Sequence, residues 1–310
     1  MRRVTIRPDA GLVALAALIL GLCAPMAMAQ SLEPRAYSAL PVGMNFLGVG
    51  YSYASGGVAF DPSVPLTDAH IRTNTEVLAY VRALGLWSKS AKFDVVVPVV
   101  SLAGSAYLDG ERKTRDISGL GDPAFRFSLI FIGAPALDLA QFRDYRQDLI
   151  VGASLRVTAP WGQYDDTRIV NIGTNRWSFK PELGASKALG SWICDLYAAA
   201  TFYTENNDFL KTGTTQQDPL YSMQAHVVRN FPRGVWAAAD ATYYWGARTT
   251  INGRQTDTLQ VNSRFGLTLA LPVNRHHSIK VYGGTGVSSR TRANFNDMGI
   301  AWQYRWGAGL

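Results

Sequence analysis

Apolar and polar residues alternate with period two along most of this chain, in segments too long for an ordinary soluble sheet. Alternation places successive side chains on opposite faces of a strand. "PAFRFSLIF" puts Phe125, Phe127, Leu129 and Phe131 on one face and Ala124, Arg126, Ser128 and Ile130 on the other. "LQVNSRFGLTLAL" sets Leu259, Val261, Phe265, Leu267, Leu269 and Leu271 against Gln260, Asn262, Arg264, Gly266 and Thr268. "VGASLRVTA" and "WSFKPELGAS" behave alike, with Arg156, Lys180 and Glu182 on the polar side. About twelve such segments lie near 45–54, 71–86, 91–102, 122–132, 149–160, 177–189, 192–205, 221–231, 235–245, 259–271, 278–288 and 297–307. They run roughly nine to sixteen residues, whereas globular strands average about 5–6 and a tilted strand crosses a bilayer in about 9–11.

The links between segments are asymmetric. "SKS" (88–90), "PRG" (232–234) and "PVNRHH" (272–277) are short, while 55–70, 103–121, 161–176, 206–219 and 246–258 are long and polar. Outer-membrane barrels join strands by tight periplasmic turns and longer extracellular loops. One link breaks the pattern: 133–148 should be a short turn, but Leu137, Leu139 and Phe142 suggest a short periplasmic helix. No apolar stretch of about 18 residues follows the N-terminus, so no ordinary transmembrane helix is expected. In lipid every backbone N–H and C=O needs an internal partner, so strands span only as a closed ring. A β-sandwich would need its apolar faces to meet each other, and it rarely combines such long strands with charges opposite. The expected fold is therefore all-β: a transmembrane antiparallel up-and-down barrel of about twelve strands, with both ends in the periplasm.

The first 29 residues read differently. Arg2, Arg3 and Arg7 precede the apolar "GLVALAALILGL", and Ala27 and Ala29 stand at the small-residue positions before a cut at Gln30. This is the pattern of a cleavable signal peptide (1–29) ahead of one barrel domain (30–310). Leu22 is too bulky for a lipoprotein site at Cys23. Removing the leader lowers the formal charge from +7 to +5, since it carries three Arg and one Asp. It also leaves Cys194 alone, so no intramolecular disulfide can form. No Lys/Arg run exceeds two residues, which with export argues against a nucleic-acid partner.

Six blocks resemble the outer-membrane transporters grouped as the "meta-pathway of phenol degradation" family: "GLGDPAFRFS", "YRQDLIVGASLRVTAPWGQYD", "IGTNRWSFKPELG", "DPLYSMQAHV", "DATYYWGARTTING" and "LALPVNRHHSIKVY". The similarity covers most of the mature chain and is weakest before about residue 70. The resemblance implies a passive outer-membrane channel for small, aromatic or hydrophobic compounds, and it supplies no catalytic residues. The expected partners are outer-membrane lipids, the barrel insertion machinery and small solutes, in a Gram-negative outer membrane.

If the apolar parity meets lipid, the other parity lines the lumen. That face carries Arg126, Arg156, Lys180, Arg264, Lys280 and Arg305 with Glu182, Asp195 and Asp240. Six cations against three anions fit an anion-favouring pore lining. The same residues equally fit a salt-bridged plug in a narrow barrel, since buried charges are normally paired. Tyr197, Tyr203, Trp236, Tyr244 and Tyr282 share this parity, although a girdle at the strand ends is the simpler assignment, as for Tyr243, Tyr244 and Trp245. Two alternatives to a channel stand beside it: a structural barrel with a plugged lumen, and a lipid-acting barrel enzyme with Ser222 and His226, which no G-x-S-x-G motif supports. His276 and His277 lack a third ligand at metal spacing and read as a polar turn. "GGTG" (283–286) has no following helix and is no phosphate loop. No cofactor or metal is expected. The closing segment sets Ile300, Trp302, Tyr304 and Trp306 toward lipid and Gln303 and Arg305 inward, with "GAGL" left over.

Overall fold

The computed structural model describes residues 33–56, 67–108, 111–290 and 295–310; the leader expected at 1–29 lies outside them. In chain order the elements are β1 (Met44–Gly56), β2 (Thr67–Leu86), β3 (Lys89–Leu108), β4 (Glu111–Leu120) and β5 (Ala124–Ile132). A helix, α1 (Leu139–Phe142), precedes β6 (Leu149–Thr158), β7 (Ser178–Leu189), β8 (Trp192–Tyr203), β9 (Asn206–Phe209) and β10 (Gly213–Gln217). Then come β11 (Leu220–Asn230), β12 (Trp236–Gly246), β13 (Thr249–Ile251), β14 (Arg254–Gln255), β15 (Gln260–Pro272), β16 (His277–Ser289) and β17 (Phe295–Gly307).

Twelve of these strands close a ring. Each pairs antiparallel with its neighbour in the meander from β1 to β17, and β17 pairs back onto β1 from Met44↔Gly307 to Gly56↔Phe295. No strand edge faces lipid along that seam, as a membrane barrel requires. The alternation obeys the sequence reading: on β15, Asn262, Arg264, Thr268 and Ala270 are buried while Phe265, Leu267, Leu269 and Leu271 are exposed.

The links differ from expectation in three places. Residues 103–121 are no polar loop: they complete a long hairpin in which Val99–Leu108 of β3 pair with Glu111–Leu120 of β4. The lower part of β3 pairs instead with β5, through Ala91↔Leu129 to Val96↔Ala124. The chain steps across from β4 to β5 at Gly121–Pro123. The loops after β8 and β12 build a separate four-stranded sheet in the order β14-β13-β10-β9. Short links match expectation: Trp87 and Ser88 turn with positive φ, as does Arg233 in the Pro232–Gly234 turn. The helix expected in 133–148 is α1, capped by Asp138, whose side chain accepts from the Gln141 N–H at 2.7 Å.

The main hydrophobic cluster lies inside the ring, at the end that carries the short turns. Tyr37, Ala39, Leu40, Met44 and Phe46 meet Val81, Ala83, Ile130 and Ile150 from the wall and Leu139 and Phe142 from α1. Helix α1 therefore closes part of the periplasmic mouth. The C-terminal tail is accounted for too: Ala308 and Leu310 pack against this cluster.

Candidate functional site: the inward face and the segment that crosses it

A non-strand stretch before β1, residues 33–43, runs inside the ring, and its residues through Tyr37 are all buried. Backbone polar groups that pair with no strand need other partners when buried. The wall provides them. The Arg35 N–H donates to Asp195 Oδ2 at 2.9 Å and the Ala36 N–H to the Tyr197 hydroxyl at 3.1 Å. Lys92 Nζ donates to the Ala36 carbonyl. Nearer β1, Val42 N–H donates to Leu137 O at 2.8 Å and Gly43 N–H to Ala83 O at 3.0 Å.

Charge holds the other end. Arg126 contacts both the Glu33 carboxylate and Asp94, the latter at 2.5 Å, and Arg156 Nη1 lies 3.2 Å from Glu33 Oε1. Burial alone would raise the Glu33 carboxyl, but Arg126, Arg156 and Lys180 together hold it well below the usual carboxylate range. Burial lowers Arg35 to about 10, against the opposing pull of Asp195. Lys180 and Glu182 pair at 3.2 Å.

Tyr37 is seated by shape. Its hydroxyl lies 3.2 Å from Glu182 Oε1 and 3.3 Å from Ser154 Oγ. Its ring lies over Gly152 and Gly184, register partners on β6 and β7. A Cβ on Gly184 would come within 2.1 Å of that ring, and one on Gly152 within 2.7 Å. Side chains at either position would displace Tyr37. The ring also packs edge-on to Tyr197, with centroids 5.2 Å apart.

The remaining wall residues form a second polar level. Asp195, His226 and Asp240 are register partners across β8, β11 and β12. His226 Nδ1 lies 2.7 Å from Asp240 Oδ1, and Thr268 Oγ1 donates to Asp240 Oδ2 at 3.0 Å. Arg264 pairs with Asp297 and donates to the Phe295 carbonyl at 3.1 Å. Lys280 Nζ lies 5.9 Å from the centroid of the Tyr282 ring. Arg305 donates from Nε to the Arg275 carbonyl at 2.5 Å, tying β17 to the β15–β16 turn.

The family described as "Putative MetA-pathway of phenol degradation" matches residues 54–302. The chain belongs to that family. Among solved structures it is similar to an outer membrane channel from Pseudomonas putida F1, with a TM-score of 0.73 and 21% identity over 88% of this chain and 99% of that one. The transport unit of the autotransporter AIDA-I from Escherichia coli gives 0.51 and 10% over 97% and 99%. The beta domain of the Bordetella autotransporter BrkA gives 0.50 and 9% over 86% and 100%. These likenesses establish the outer-membrane barrel fold. No curated protein matches the chain.

All nine residues chosen by parity in this family member point inward: Arg126, Arg156, Lys180, Glu182, Asp195, Asp240, Arg264, Lys280 and Arg305. The structure brings Arg126, Arg156, Lys180 and Glu182 together around residues 33–37, with Asp195 beside Arg35. Arg264, Lys280 and Arg305 have partners elsewhere. Sequence reasoning missed Glu33, Arg35, Tyr37, Lys92 and Asp94, which complete the cluster. The girdle assignment fails for three aromatics: Trp236 is 0% exposed and Tyr197 and Tyr244 are 1% exposed, all inside the ring. Tyr243, by contrast, stacks outward with Trp245 at 5.6 Å. The His276–His277 pair is the expected turn, both N–H groups donating to Asn274 Oδ1 at 2.8 and 2.9 Å.

Proposed function

We propose that this protein is a passive outer-membrane channel for small, aromatic or hydrophobic compounds, and that residues 33–43 act as its internal plug. The observation that carries this reading is how those residues are held. They join no strand; residues 33–37 attach to the inward face through side-chain contacts from β3, β5, β6, β7 and β8, and backbone bonds hold only Val42 and Gly43, next to β1. Such contacts can be exchanged for water one at a time, whereas strand pairing cannot. The polar inward face suits solute passage once those residues undock. The phenol-degradation description of the family and the channel from Pseudomonas putida F1 agree with this reading.

Liposome swelling tests it. Vesicles carrying the refolded protein should swell in isotonic phenol or catechol faster than protein-free vesicles, and far more slowly in a disaccharide. Equal rates with and without protein for every solute would sink the channel reading.

The enzyme alternative is weaker on geometry. Ser222 and His226 lie four residues apart on one strand, about 13 Å along its axis, beyond the hydrogen-bond reach that a nucleophile and its base need. The His226 imidazole is directed to Asp240, and no hydroxyl among the described residues bonds its other nitrogen.

A further inference from the structure

The β3–β4 hairpin, at the end of the barrel that carries the long links, encloses a cavity of about 410 Å³ together with the loop 167–170 and Leu210. That volume lies in the usual range of small-molecule sites, about 300–1,000 Å³. Two chemistries line it. Ile71 and Leu102, both buried on the inner face of β2 and β3, form an apolar wall, continued by Ile169 and Val170. Lys113 and Arg115, on the same face of the hairpin as Leu102, and Arg168 from the β6–β7 loop line it as well, with the carboxylate of Asp116.

The cationic side is available for a ligand. Lys113 is engaged by Glu111 at 2.5 Å. Arg115 donates from Nε to the Val170 carbonyl at 3.2 Å, its two terminal nitrogens make no hydrogen bond among the described residues, and Asp165 lies near enough to feel its charge. Arg168 is exposed and only loosely associated with Asp165, at 3.9 Å.

The loop wall is preformed. Asp122 accepts from the Gly162 N–H at 2.8 Å and from the Thr174 N–H and hydroxyl at 2.8 and 2.7 Å. Asn171 donates to the Asp165 and Arg168 carbonyls at 3.0 and 2.9 Å. A site whose walls are already ordered loses less entropy on binding.

We propose that this cavity is a capture site for a small amphipathic carboxylate, its aromatic or bulky hydrocarbon body against Ile71, Leu102, Ile169 and Val170 and its carboxylate between Arg115 and Arg168. A guanidinium fork matches a carboxylate in two parallel hydrogen bonds. A purely inorganic anion would leave the apolar wall wet, and a neutral hydrocarbon would leave the two guanidinium groups unused. The inference rests on the channel reading, because a captured solute gains purpose only if the ring below passes it.

Isothermal titration calorimetry of the refolded full-length barrel with 2-naphthoate and its neutral counterpart 2-naphthamide tests the site. The wild type should bind naphthoate at least tenfold more tightly. Arg115→Gln/Arg168→Gln should weaken naphthoate about tenfold or more and leave naphthamide within about twofold, as expected for loss of charge-assisted hydrogen bonds. Ile169→Ser should weaken both. Arg115 lies on the hairpin and Arg168 and Ile169 on the β6–β7 loop, outside the ring, and heat-modifiable gel mobility verifies folding. Equal binding of the two ligands, or undiminished naphthoate binding by the double variant, overturns the proposal. Single-channel recording of the same samples separates the two readings. Conductance without naphthoate binding sinks the capture site, and naphthoate binding without conductance sinks the channel.

Discussion

Glu33→Gln is the most direct chemical perturbation of the plug. It keeps the size of the side chain and removes its charge from between Arg126 and Arg156. At about 4 Å and an effective dielectric near 20, each unit-charge pair is worth about 4 kcal/mol before desolvation. Deleting one partner of a buried pair costs about 3–5 kcal/mol, mostly because the remaining charges stay buried and uncompensated. Arg126 keeps Asp94 at 2.5 Å, which softens the loss on that side, so the lower end applies. A penalty of about 3 kcal/mol shifts the docked–undocked equilibrium roughly a hundredfold. In planar bilayers the variant should show opening events about a hundred times more often than the wild type, at an unchanged open-state current. An opening frequency within about twofold of wild type, in a barrel shown to be folded, would refute the reasoning.

Other perturbations reach the same segment by different physics. Acidification should act through Glu33 with a defined sign: its docked pKa is depressed, so its contribution is complete above the undocked value near 4.3 and is lost as pH falls. Opening frequency should thus rise by up to about tenfold per pH unit below roughly pH 4, and the part due to Glu33 should vanish in Glu33→Gln. Gly184→Ala should also raise opening by displacing Tyr37, and its effect should disappear in a Tyr37→Ala background, because the clash is with that ring. Arg156→Gln should open the channel less than Glu33→Gln, since Glu33 keeps Arg126; a larger effect would contradict the assigned pairing. At the seam, Trp302, Tyr304 and Trp306 stack in series at 6.4 and 5.4 Å, and Trp306 adds Tyr80 at 6.2 Å. Trp306→Ala should lower assembly into outer-membrane vesicles more than Trp302→Ala, measured as the heat-modifiable fraction; equal losses would deny the terminal position a special role.

The ring itself was legible because the physics that builds it is local. Parity along each strand separates lipid-facing from inward residues, and chain length per segment distinguishes a membrane strand from a soluble one. Arg126, Arg264 and Asp240 were therefore placed on the correct face from nearest neighbours alone. The plug was not legible in the same way. Residues 33–43 have no periodicity, and their partners Asp195, Tyr197 and Glu182 lie about 145–161 positions away along the chain. Pairing across strands depends on register, which parity does not contain; Asp94 meets Arg126 only because Asp94↔Arg126 are partners in the β3–β5 pairing. Level along the barrel axis was lost for the same reason. Trp236 and Tyr244 have the parity of the lumen, yet only the folded ring shows them buried within it rather than in a girdle. One signal was present and unused: Gly152 and Gly184 share inward parity in consecutive segments, where a bare backbone invites close approach by something inside. The β3–β4 hairpin escaped notice because Glu111–Asp116 of β4 are polar on both faces, which hides the alternation and resembles a loop.

The central claim is that residues 33–43 obstruct a ring that otherwise conducts small solutes. Single-channel conductance of a protein lacking residues 33–42, folded and compared with the wild type in the same bilayer and salt, tests it most directly. The account predicts a larger, continuously open conductance in the shortened protein and small or infrequent events in the wild type. Identical conductance and open probability in the two proteins would contradict it.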